Sequence, residues 1–202
     1  MQQLSKRDYL FSLIIGLLDG LILLFIINKT PDLYFKLAGI SNYFWALPLI
    51  VAIAALIGIL IFAAINLFQI AKFLVAGTLN VFVDTFFSKV LMLAFNIFDG
   101  PIALVFKAIS FSIATVNSYL WNKFWTFEKK ETQGAGKEFV KFYLVTAIGL
   151  CINVGAFHIV INVIKPQFGL SVSLWALVGT IVAALASAVW NFLSYKIIVF
   201  KK

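Results

Sequence analysis

Apolar residues run along this chain in long blocks, separated by short clusters of proline, glycine, asparagine and charge. The blocks lie near residues 9–28, 43–65, 73–95, 102–124, 142–163 and 173–198. Each approaches or exceeds the roughly 20 residues a helix needs to cross about 30 Å of hydrocarbon. They predict an all-α integral membrane protein with six transmembrane helices, too many apolar blocks for a cleaved signal peptide. The breaks "NKTPD" at 28–32, "DGP" at 99–101, "KKETQGAGKE" at 129–138 and "KPQFG" at 165–169 hold turn residues and charge. Between the second and third blocks "NLFQIAK" is a brief interruption, which predicts a bend at the membrane interface.

Composition agrees with the pattern. Of 202 residues, 63% are hydrophobic and 12% charged, far from the half-apolar, quarter-charged average of soluble domains. The net charge of +8 does not point to nucleic acid, because the lysines are scattered at the ends of apolar blocks and form no basic domain. They bear on orientation, since basic residues near span ends stay preferentially cytoplasmic. With both termini inside, that face holds Lys6, Arg7, Lys72, Lys123, Lys129, Lys130, Lys137, Lys141, Lys196, Lys201 and Lys202, and the other holds Lys29, Lys36, Lys89, Lys107 and Lys165. Both termini are therefore expected in the cytoplasm and the protein in the cell membrane. The single cysteine, Cys151, lies in an apolar block and excludes an internal disulfide.

Within the last four blocks the chain echoes itself. "NSYLWNKFWTF" at 117–127 and "WNFLSYKIIVF" at 190–200 place Leu120 against Leu193, Lys123 against Lys196 and Phe127 against Phe200. Upstream, "AKFLVAGTLNVFVD" at 71–84 aligns without gaps with "VKFYLVTAIGLCIN" at 140–153, pairing Lys72-Phe73 with Lys141-Phe142 and Asp84 with Asn153. The expectation is a duplicated two-helix hairpin, parallel because each unit has an even number of spans. The chain then divides into an extra N-terminal hairpin, 1–68, and a four-helix domain, 69–202.

Lys-Phe at a span start, a polar residue in mid-span and "NKFWTF" at the next span's end, all repeated, resemble the GtrA-like family. That family is also similar to the membrane domain attached to some dolichol-phosphate mannose synthases. The resemblance covers about residues 69–202 and leaves 1–68 without a role. It implies translocation of a polyprenyl-phosphate-linked sugar for surface polysaccharide or glycan synthesis, beside a separate polyprenyl-phosphate glycosyltransferase. No cofactor is implied, and no catalysis by this chain is expected: it has no soluble domain and no convergent acid, base and nucleophile. The alternatives are an accessory anchor for such a glycosyltransferase and a small-solute transporter.

Such a ligand needs a cation for its phosphate, a polar path for its sugar and a lipid-facing groove for its tail. Lys72, Lys123, Lys141 and Lys196 are the candidates for lipid-phosphate binding, with topology-setting snorkelling as the alternative. Asp84 stands roughly 18 Å of helix beyond Lys72, and a carboxylate at that depth faces a bundle interior or a watered cavity. With Asn80 one turn earlier and Asn153 as repeat mate, it is a candidate for the sugar path or for interhelical glue. Asn122 and Trp125 are candidate headgroup contacts. Asp19 in "GLLDGLILL" asks for a polar partner on another span, and the lone His158 has no companions for a metal site. The small-residue face "GTIVAALASA" at 179–188 allows close helix packing, within the chain or in a homodimer.

Overall fold

A computed structural model describes residues 4–65, 67–169 and 172–201. The fold is all-α: α1 (Lys6–Asn28), α2 (Pro31–Lys36), α3 (Leu47–Ala64), α4 (Phe68–Phe95), α5 (Gly100–Trp121), α6 (Ala135–His158) and α7 (Val172–Ser194), with a 3₁₀ segment at Ala38–Ala46 and π-helical segments at Asn122–Thr126, Ile159–Ile164 and Tyr195–Val199. Six of the resulting helical spans are long and apolar enough to cross a membrane. The expected spans coincide with these helices to within two residues at their C-terminal ends, and four of the helices start three to seven residues earlier than expected. Polar residues at the interface lower hydropathy without breaking helical hydrogen bonding. The brief second interruption is a true break, since α3 stops at Ala64 and α4 starts at Phe68. "PDLYFK" forms the short α2, with Pro31 preset for a first helical turn.

The chain packs as two compact units, 1–128 and 129–202. The first holds α1 to α5 with the π-helical segment Asn122–Thr126, and the second holds α6 and α7. Within the first, α1 lies against α3 and α4, and α4 against α5. Its core is formed by Ile15, Ile59, Ala71, Ala76, Leu79 and Trp125. Elsewhere the helices turn apolar side chains outward: Leu49, Ile50, Ile53, Ile57, Leu60 and Ile61 of α3 are all exposed. An apolar surface of that extent belongs against lipid.

Close approach sets the α1/α3 contact. A Cβ on Gly16 would stand 2.5 Å from the Ala52 Cα, and one on Gly20 would stand 2.4 Å from the Pro48 Cα. Small residues of this kind let membrane helices pack backbone to backbone, where lipid offers no hydrophobic drive for association. The turn between α4 and α5 is closed by Asn96 in the left-handed conformation, its N–H donating to the Leu93 and Met92 carbonyls.

In the second unit α6 packs on α7. The Phe142 ring stacks on Tyr195 at 4.4 Å between centroids, and Thr146 and Tyr195 share a 2.7 Å hydrogen bond between hydroxyls. The Trp190 indole donates to the Val145 carbonyl at 3.0 Å. Trp175 Nε1 donates to the Val160 carbonyl at 2.9 Å, meeting an oxygen in the π-helical segment. Both units end alike: the π-helical segments 122–126 and 195–199 are 73 residues apart, and in each a phenylalanine N–H, Phe127 or Phe200, closes on the carbonyl five residues back at 2.8 Å.

Because backbone atoms are the nearest neighbours of Gly16 and Gly20, replacing either with valine must separate α1 from α3. A loss of about 1–3 kcal/mol is expected from such overpacking, read as reduced thermal stability of the detergent-solubilised protein. Gly39→Val, at a position with open space around it, is the matched control and should stay near wild type.

Candidate functional site

The first turn of α1 builds one end of the site. Ser5 caps the helix and Asp8 reaches back, accepting from the Ser5 N–H at 2.9 Å and the Ser5 hydroxyl at 2.8 Å on Oδ2. Its other oxygen, Oδ1, takes the Lys72 ammonium at 2.6 Å and the Trp125 indole N–H at 3.0 Å. All three side chains are buried, Lys72 to 1% exposure and Trp125 to 0%. Lys72 also reaches Glu128 Oε1 at 3.0 Å, and Arg7 Nη2 reaches the same oxygen at 3.2 Å.

The π-helical segment Asn122–Thr126 buries Asn122, Lys123, Trp125 and Thr126 while Phe124 stays exposed; at helical spacing those four share one face and Phe124 points away from it. Gln69 Nε2 donates to the Thr126 carbonyl at 3.3 Å, and Phe11 sets its ring edge-on to Trp121 and Trp125 at 5.3 and 5.9 Å. Lys123 is 1% exposed; its ammonium donates to the Tyr119 hydroxyl at 3.1 Å and lies over the Tyr119 and Phe124 rings. Asn122 Nδ2 donates to the Ser118 carbonyl at 2.8 Å. Its buried Oδ1 has no partner among the described residues.

Lys72, Ala76, Asn80, Asp84 and Ser88 fall at four-residue spacing and form one stripe along α4. Asn80 Oδ1 is buried and without a partner among the described residues. Asp84 forms an ion pair with Lys107 and accepts from the Ser110 hydroxyl at 2.6 Å. Both partners come from α5, so Asp84, Lys107 and Ser110 form a polar cluster between α4 and α5. Asp19 finds its expected partner on another span in the Thr78 hydroxyl, at 2.7 Å. The two residues line an otherwise apolar groove of about 240 Å³ between α1, α3 and α4.

The repeat mates differ in environment. Lys141 and Lys196 are exposed, and Lys196 lies over the Phe192 ring. Asn153 Nδ2 donates to the Ser187 hydroxyl at 3.3 Å, an interhelical bond within the second unit. Trp125 has an internal partner, Asp8, where sequence reasoning had offered it to a headgroup. The structure thus brings together Lys72 and Trp125 through Asp8, sets Asn80 and Asp84 on one stripe, and leaves Lys141 and Lys196 apart from any acid among the described residues. Sequence reasoning passed over Asp8, Arg7 and Glu128 at one end and Lys107 and Ser110 at the other. Ser5-x-x-Asp8 is a readable capping box, but nothing local says that its aspartate also binds Lys72.

The architecture defines a class: a multi-pass helical membrane protein with a buried charge network at one helix end and a polar cluster between α4 and α5. The transmembrane-domain model of the GtrA/DPMS family matches residues 72–200, well over half the chain, and the protein belongs to that family. Its membership places it among membrane proteins of polyprenyl-phosphate sugar pathways. The match begins at Lys72, so α1 and α3, which supply Asp8 and the close glycine contact, lie outside it. Comparison with curated proteins and with solved structures gives no match.

Asp8→Ala should be the most damaging single change at this site. It leaves the buried Lys72 ammonium to the partly exposed Glu128 carboxylate and empties the cap; because that second acid remains, the loss should fall near the low end of the about 3–5 kcal/mol that a broken buried pair costs. Lys196→Met, at the exposed repeat position, should leave thermal stability within about 0.5 kcal/mol of wild type. Equal melting of the two variants in detergent would contradict the network's structural role.

Proposed function

We propose that this chain is a flippase, or the membrane component of one, for a polyprenyl-phosphate-linked sugar, and that it performs no covalent chemistry itself. The observation that carries the reading is the polar cluster of Asp84, Lys107 and Ser110 between α4 and α5, in helices whose outer faces are apolar. Asn80, Asp84, Lys107 and Ser110 offer hydrogen-bonding groups at depths where unpaired polar groups are costly, and a sugar's hydroxyls would exchange with those contacts. Lys72 and Lys123 supply cations toward one end of these helices, and the Asp84–Lys107 pair stands further along them, where its opening would admit a headgroup. Lys141 and Lys196, being exposed, serve in this reading as interfacial cations.

The matching π-helical endings 73 residues apart support an origin by duplication of a two-helix hairpin. On this reading the protein lies in the cell membrane with both termini cytoplasmic, and its partners are a polyprenyl-phosphate glycosyltransferase and, through the small residues of α7, a second copy of itself. A second reading, an accessory subunit that holds the glycosyltransferase at the membrane without moving lipid, draws support from the family description, which joins GtrA with DPMS.

Proteoliposomes holding a fluorescent prenyl-phosphate sugar separate the two. The flippase reading requires that purified protein increase the fraction of label open to a membrane-impermeant quencher; an unchanged fraction favours the accessory role. Asp84→Leu, checked for folding, should slow that exchange about tenfold or more, the loss expected when charge-assisted contacts worth about 1.5–3 kcal/mol are removed. Asp84→Asn should slow it less, since the amide still accepts from Ser110. Transport by a folded Asp84→Leu variant at the wild-type rate would remove Asp84 from the path.

A further inference from the structure

Two cations from separate helices, Arg7 of α1 and Lys72 of α4, converge on a single carboxylate oxygen, Oε1 of Glu128, at 3.2 and 3.0 Å. Glu128 sits just beyond the π-helical segment, with its side chain about one third exposed and its backbone in the left-handed region at φ 54°. That conformation is unfavourable for a residue with a Cβ, so the contact is held by its charge. Arg7 is only half satisfied: its Nε is buried and has no acceptor among the described residues, while its guanidinium lies 6.0 Å over the Phe11 ring. One carboxylate oxygen leaves unused the fork that an arginine presents to a multi-oxygen anion.

We infer that Arg7 and Lys72 form a seat for the phosphate of a lipid phosphodiester, and that the Glu128 carboxylate is a displaceable plug in that seat. A phosphate group offers several oxygens, enough for the Lys72 ammonium and for Nη2 and Nε of Arg7 at once. Charge selects the diester. With Glu128 withdrawn, Arg7 and Lys72 contribute +2 and Asp8 −1, a net +1 in a site that is buried at Lys72 and Asp8 and open to solvent at Arg7. A phosphodiester monoanion restores neutrality, as Glu128 does, whereas a phosphomonoester, at about −1.5 to −2, overshoots it. Asp8 stays in place beneath, with its four donors, and keeps Lys72 charged and oriented. Phe11 and Trp121, both partly exposed, form the neighbouring apolar wall, against which the lipid tail would lie. Arg7 lies outside the matched family region, so this seat assigns the N-terminal hairpin a part in ligand binding.

The ligand class rests on the lipid-linked-sugar reading above, so binding is measured separately from transport. Full-length protein in phosphate-free maltoside micelles is titrated with a prenyl-phosphoryl sugar and with the uncharged prenyl glycoside, following tryptophan fluorescence. Glu128→Gln removes the competing charge and should tighten the phosphodiester about tenfold, and Arg7→Gln should weaken it about tenfold, the scale of one charge-assisted hydrogen bond. Neither change should alter the glycoside. An unchanged or weaker affinity in Glu128→Gln overturns the plug; an unchanged affinity in a folded Arg7→Gln overturns the seat. Should Arg7→Gln fail to fold, Glu128→Gln decides alone.

Competition separates the sources of phosphate. Displacement of the prenyl phosphodiester by equimolar phosphatidylglycerol or inorganic phosphate would overturn its assignment to the lipid-linked sugar. If binding responds as expected while liposomes show no exchange, the seat stands and the flippase reading fails. If exchange is robust while both variants bind as wild type, the seat fails and the flippase reading stands.

Discussion

Asp8 and Lys72 meet in a setting where neither charge is tolerable alone. Removing an ion from water costs several kcal/mol even after the surroundings relax, and this ammonium is 1% exposed. The cost is met because every lone-pair direction of the carboxylate in use has a donor: two from Ser5, one from Lys72 and one from Trp125. Much of the first unit's arrangement at that end follows from this requirement. The start of α1, the start of α4 and the end of α5 must converge within hydrogen-bonding distance, and Trp125 must face inward. Asn122 and Lys123 are buried beside it on the same π-helical turn.

Further along the same helices the problem is different. Asp84 and Lys107 form an ion pair, but the Lys107 side chain is 53% exposed, and the pair has fewer fixed donors around it. A pair of this kind can open at lower cost than the Asp8–Lys72 pair, which suits a path better than an anchor. Asn80 and Asn122 each keep a buried oxygen without a partner among the described residues. Uncompensated acceptors are expensive in a purely structural element and useful in one that must exchange hydrogen bonds with a polar ligand.

The two hairpins of the family region show how one pattern serves two environments. Lys72 and Lys123 are buried among aromatic rings and, for Lys72, two acids; Lys141 and Lys196 are exposed. At the position of Trp125 the second hairpin has Ile198, which is exposed, and at that of Asn122 it has Tyr195, which stacks on Phe142. The π-helical ending occurs in both, while the side chains around it differ. An acid to pair with the first lysine comes from α1, a helix outside the matched family region, and the described part of the second unit has no counterpart to it.

The sequence by itself determined the six spans and the family, because the length of an apolar block and the residues that interrupt it are local quantities. It also placed lysines at the helix ends and marked Asp84 as a carboxylate at depth, since helical rise converts spacing into distance. Only the tertiary structure decided which charges meet. Trp125 lies 117 residues from Asp8 and Glu128 lies 56 from Lys72, separations over which periodicity carries no information. Burial of Lys72 and exposure of Lys141 are likewise invisible in two copies of the same Lys-Phe pair. What distinguishes them is the neighbour each helix packs against, and that is a property of the folded chain.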